Sequence, residues 1–224
     1  MSMLSNKNLF VKATNMIWTL FVIGICALLT SFLLVLLILS VKLNAVTFVF
    51  YLIALLLVGP TMGAIFQTVY KKLHETDNKV INIYFNYYLS GFKSSILLWL
   101  PYYFLILILC ADLYFLSLNG KGTFLMPLLL LILILSMISY VYSLILYTKF
   151  VMKIKDIIRF SLFLIVNRPI KSLTIIILLL ALYQFYKHFG NLAIFWGFPL
   201  FSMLSFLFLR KLLVQIEMKY VNQY

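Results

Sequence analysis

Few side chains in this sequence are equipped for chemistry, and they are scattered. Asp112 is the one acidic residue well inside an apolar run, just ahead of Leu113, Tyr114 and Phe115. A carboxylate in a membrane is costly and is a functional candidate by default. It lies about two helical turns from the end of its run at Leu118, so an interface anchor, or a pair with Lys121 or Lys187, explains it equally well. Gln184, Lys187, His188 and Asn191 gather around one short turn. They suit either a polar vestibule for a sugar or peptide or plain solvation of a loop.

The sharpest local feature is Gly59-Pro60-Thr61-Met62-Gly63-Ala64. Pro60 has no N–H for the carbonyl of Leu56 and should kink its helix. Gly59 and Gly63 form a small-x-x-x-small face with Ala64 beside it, a surface that another helix can approach closely. A freed carbonyl at such a break could line a substrate or ion site; kinking with tight packing is the plainer reading. The phosphate loop G-x-x-x-x-G-K-[ST], the zinc pair H-E-x-x-H and the nucleophile elbow G-x-S-x-G do not occur. Cys26 and Cys110 each sit in an apolar run and read as small buried hydrophobes. The expectation is a protein that is not an enzyme and needs no metal or cofactor.

The elements that must position these residues are set by composition. Apolar residues make up 65% of the 224 and charged residues 10%, with a mean hydropathy of +1.12. A soluble domain carries about a quarter charged residues, so lipid is the solvent. A membrane helix needs about 20 apolar residues. Six stretches approach this: about 16–41, 46–69, 94–118, 124–148, 172–186 and 192–214, the fifth being short. The first run is much longer than the apolar core of a cleaved signal, about 7–15 residues, and is expected to be a retained helix. The fold class expected is therefore an all-α polytopic bundle of about six transmembrane helices in a single domain, 1–224.

Lys and Arg fall unevenly between alternate connections. Fifteen lie in the N-terminal segment, the second-to-third and fourth-to-fifth connections and the C-terminal end; Lys42, Lys121 and Lys187 alone lie on the other side. The positive-inside rule then places both termini in the cytoplasm. His74 and His188 fall on opposite sides and cannot share a catalytic site. The net charge of +13, clustered in short loops, suits anionic headgroups rather than nucleic acid. Two of the inner connections read as amphipathic interfacial helices. One presents Val80, Ile81, Tyr84, Phe85, Tyr88 and Phe92; the other Ile154, Ile157, Ile158, Leu162 and Ile165. Candidate headgroup contacts are Lys71, Lys72, Lys153, Lys155 and Arg159. Tyr70-Lys71-Lys72-Leu73 with Phe92-Lys93-Ser94-Ser95, and Tyr147-Thr148-Lys149-Phe150 with Ile170-Lys171-Ser172-Leu173, hint at an internal repeat.

The order of segments resembles the YesL-like family of bacterial integral membrane proteins, a family of unknown function. The resemblance runs through Val58-Gly59-Pro60-Thr61, Gly63-Ala64-Ile65, Lys71-Lys72, Tyr84-Phe85, Phe92-Lys93, Leu98-Trp99-Leu100 and Ala111-Asp112-Leu113-Tyr114-Phe115. It continues through Ile154-Lys155-Asp156-Ile157-Ile158, Arg168-Pro169 and Phe208-Leu209-Arg210-Lys211. The stretch from Trp18 to Val58 is longer than the family's usual approach to its glycine-proline motif. The resemblance implies a bacterial cytoplasmic-membrane protein associated with carbohydrate uptake or utilisation, without defined site residues. The function expected is a non-enzymatic accessory component of such a system, partnered by sugar ABC permease subunits or by itself. A stand-alone secondary transporter or channel, and a scaffold for envelope assembly, are the alternatives.

Overall fold

The computed structural model describes residues 2–40, 44–75, 79–119, 125–190 and 192–218. Every regular element among them is a helix: α1 Ser2–Thr30, α2 Phe32–Ser40, α3 Ala45–Leu56, α4 Val58–His74, α5 Val80–Ser90, α6 Phe92–Asn119, α7 Leu125–Lys149, α8 Ile154–Asn167, α9 Pro169–Phe189 and α10 Leu192–Ile216. Among the described residues, five helical stretches are long and apolar enough to cross a membrane: Thr47–His74 (α3 running into α4), Phe92–Leu118, Leu125–Lys149, Pro169–Phe189 and Trp196–Ile216.

Sequence and structure differ most over the first expected span. Instead of one helix over 16–41, the chain breaks at Ser31 into α1 and α2, and the described apolar part of α1, Thr14–Thr30, is short. The cause is local. The Thr30 hydroxyl contacts the carbonyls of Cys26 and Ala27, both at 3.1 Å, and the Ser31 hydroxyl donates to Ala27 at 2.6 Å. Such back-bonding competes with the helix ladder and bends it. Between the first two expected spans, Lys42 lies outside the described residues, while Asn44 caps α3. Its side-chain oxygen accepts from the Thr47 N–H at 2.8 Å, and its own N–H donates to Thr47 Oγ1 at 2.8 Å, a reciprocal arrangement like a capping box.

The second, third and fifth spans run beyond an expected end, and the fourth and sixth keep to the expected ones within a few residues. The fifth is not short: Pro169 starts α9 at its first position, where a missing N–H costs nothing, and the helix continues for 21 residues. The second is interrupted at Leu57, three residues ahead of Pro60. Large apolar side chains fill the interior, among them Ile65, Phe66, Leu98, Tyr142, Ile145, Ile175 and Leu209. Others, such as Phe48, Ile108, Phe115, Leu131 and Ile177, stand exposed on the outside. A helix surface so apolar has lipid as its natural solvent.

The two short helices differ in detail from the expected amphipathic faces. On α5 the buried residues are Val80, Ile83 and Tyr84, while Ile81 of the expected apolar face is exposed on the outside. On α8 they are Ile157, Ser161 and Leu164, while Leu162 of the expected apolar face is exposed on the outside. In both cases a hydroxyl takes an inward position because a polar partner waits there. The Tyr84 hydroxyl meets Thr30 at 2.8 Å, and Ser161 meets Ser139 at 2.8 Å. The charged Lys155, Asp156 and Arg159 remain on the exposed side of α8. A long–short–long order occurs twice, as α4-α5-α6 and α7-α8-α9.

Candidate functional site

The glycine-proline motif begins α4 and is covered by α6. A Cβ built on Gly59 would come within 2.6 Å of Trp99 Cβ, and one on Gly63 would overlap Ser95 Oγ and approach Ser95 Cβ to 3.1 Å. The small face therefore serves contact within the chain. Pro60 and Ala64 are buried in the same turns. Where the helix is broken, α6 supplies donors: Trp99 Nε1–H donates to the Leu55 carbonyl at 3.1 Å, and the Tyr103 hydroxyl to the Leu52 carbonyl at 2.9 Å. A carbonyl left open in hydrocarbon costs several kcal/mol by rough estimate, so the Trp99 indole helps to make the break tolerable, while Tyr103 ties α6 to the body of α3.

Below Trp99 on α6 lies a hydroxyl cluster. The Tyr102 hydroxyl is 2.9 Å from Ser139 Oγ, 2.7 Å from Ser143 Oγ and 3.2 Å from Ser161 Oγ. Ser161 also donates to the Ile158 carbonyl at 2.7 Å. All four residues are buried. Through them one phenol on α6 joins two serines of α7 and one of α8. The Tyr140 ring packs against both Trp99 and Tyr102, with centroids at 4.6 and 5.3 Å. Its buried hydroxyl has no hydrogen-bond partner among the described residues. A sequence signal for this cluster was thin: serine occurs throughout apolar helices, and only the Ser139/Ser143 spacing of one turn placed two hydroxyls together.

At the opposite end of α4 the basic residues converge. Lys149, ending α7, forms an ion pair at 2.7 Å with Glu217 just beyond α10, and its ammonium lies 5.4 Å from the Phe150 ring. Lys71 pairs with Glu75 at 3.5 Å. A cleft of about 420 Å³ is lined by Tyr70, Leu73 and His74 of α4, by Lys149, by α10 from Phe206 to Val214, including Arg210, and by Glu217. A second, of about 410 Å³, shares Tyr70 and His74 and reaches Lys71, Tyr87 and Tyr147. The His74 ring packs on Tyr70 with centroids 4.4 Å apart, and its Nδ1 lies 2.8 Å from the Tyr70 carbonyl.

The remaining sequence candidates are dispersed. Asp112 is exposed on α6 and makes no hydrogen bond or ion pair with another described residue; Lys121 lies outside those residues. Lys187 and His188 are exposed in the last turn of α9. Nothing draws Asp112, Lys187 and His188 into one site. Among the headgroup candidates, Lys153, Lys155 and Arg159 are exposed, and Lys71 and Lys72 are half-buried. Among the described residues, no three His, Cys, Asp or Glu side chains group as a metal site would require. Compared with protein-family models, curated proteins and solved structures, the chain matches none.

Proposed function

We propose that this chain is a non-enzymatic, membrane-embedded accessory protein with its basic end in the cytoplasm. The observation that carries the reading is the division of labour along α4. Its glycine-proline half is packed inside the chain against Trp99 and Ser95, while its His74 end opens into two clefts edged by Lys71, Lys149 and Arg210. The working surface is then the basic end, and the membrane portion is the support that holds it in place. The Lys and Arg bias favours the cytoplasmic side for that end. Carbohydrate uptake comes from the family resemblance alone, which makes a sugar ABC permease the partner to look for.

Gentle affinity purification of the tagged protein from native membranes, with mass spectrometry of what co-purifies, tests this. Near-stoichiometric recovery of a sugar permease supports the accessory reading. Recovery of the chain alone contradicts it and favours a stand-alone transporter, to be measured as substrate flux in liposomes.

A further inference from the structure

We propose that the cleft between α4 and α10 at the basic end holds one anionic phospholipid, with its phosphate against Arg210 and an acyl chain along the apolar wall. The cleft's volume, about 420 Å³, falls in the usual range for small-ligand sites, roughly 300–1,000 Å³. Its chemistry is divided. Phe206, Leu207 and Val214 form one wall, and Leu207 and Val214 remain 51% and 43% exposed, so they offer apolar surface that the chain itself does not cover. Arg210, also exposed, stands between them on α10, one turn from each.

The charges decide the ligand. Lys149 is matched by Glu217 at 2.7 Å, and those two cancel. Among the described residues the cleft's cations then reduce to Arg210, while the His74 ring is engaged by the Tyr70 carbonyl, 2.8 Å from its Nδ1. A guanidinium is suited to bidentate phosphate recognition. A soluble phosphate would use Arg210 and leave Leu207 and Val214 wet; an uncharged lipid would use the wall and leave Arg210 unanswered. An anionic phospholipid satisfies both. The proposal rests on the reading that this end meets the headgroup layer, yet it is tested in detergent, where orientation plays no part.

The experiment is native mass spectrometry of the detergent-purified chain, delipidated and then titrated with phosphatidylglycerol or phosphatidylcholine. One phosphatidylglycerol should be retained, about fivefold or more tightly than phosphatidylcholine, as roughly 1 kcal/mol per basic contact implies. Arg210→Gln should abolish that preference, and Leu207→Asn should weaken both lipids. Lys211→Gln, on the neighbouring exposed residue, should change neither. Excess glycerol 3-phosphate should fail to displace the lipid. Equal retention of the two lipids, a preference that survives Arg210→Gln, or displacement by glycerol 3-phosphate would each overturn the proposal. The last would show a site for a soluble anion. Should Arg210→Gln lose its fold, the Leu207→Asn and glycerol-phosphate results decide the matter on the native chain.

Discussion

The indole N–H of Trp99, on α6, donates to the carbonyl of Leu55 at 3.1 Å, across the break that Pro60 imposes between α3 and α4. One side chain thus does two things: its indole satisfies the exposed backbone, and its Cβ occupies the space that Gly59 leaves free. Trp99→Phe keeps most of the packing and removes the donor. Interhelical hydrogen bonds in membranes average about 0.6 kcal/mol and reach about 1.7. Because the carbonyl here is left without its partner, we expect a loss of about 1–2 kcal/mol, read as earlier unfolding in a detergent titration.

The two glycines should not respond alike. At Gly63 the new methyl meets the hydroxyl of Ser95, which can rotate; at Gly59 it meets the Trp99 Cβ, which cannot move without α6. Overpacking costs roughly 1–3 kcal/mol. Gly59→Ala is therefore expected at or above the upper end and Gly63→Ala at the lower. Ser95→Gly should partly rescue Gly63→Ala and leave Gly59→Ala unimproved. Equal losses at both positions, with no rescue, would show that α6 does not fix this face.

The hydroxyl cluster predicts coupling between α8 and the bundle. Tyr102→Phe removes the group shared by Ser139, Ser143 and Ser161. The cost should be about 1–3 kcal/mol, as for other buried polar groups left unsatisfied. The loss should be local as well as global: faster hydrogen exchange across Ile154–Asn167 than across α9. Ser161→Ala should cost less, since Ser139 and Ser143 keep Tyr102, and combining it with Tyr102→Phe should be clearly non-additive.

How much of this was legible in the sequence depended on how many helices each feature involved. The glycine-proline motif was, because Pro60 and Gly63 act on a single helix and obey local rules. The inward position of Ile157 and the outward one of Lys155 followed from periodicity. The hydrogen bonds of Tyr84 and Ser161 to partners on α1 and α7 were not legible, since no periodicity of α5 or α8 contains them. The break at Ser31 was readable in principle from adjacent hydroxyls at Thr30 and Ser31, but a strong apolar run masked it. The clefts were invisible, since they arise where the end of α4 meets α7 and α10 in one case and α5 and α7 in the other.

Asp112 should matter little. It is exposed on α6 with no described partner, so Asp112→Asn is expected to change stability by no more than about 0.5 kcal/mol. Expression level and co-purification should also stay unchanged. A variant that folds yet loses its partner, or its transport in liposomes, would return Asp112 to the functional site.

Docking of a cytoplasmic partner at the basic end requires that end to face the cytoplasm. Single cysteines at Lys155 and His188, in a Cys110→Ser background, can be probed with a membrane-impermeant maleimide. Cys110 is exposed and must be removed, whereas Cys26 is buried. In intact cells the cysteine at position 188 should be labelled and that at 155 should not, with position 155 labelled only after the membrane is opened. Labelling of position 155 in intact cells, with position 188 protected, would reverse the orientation and contradict the cytoplasmic role of the basic end.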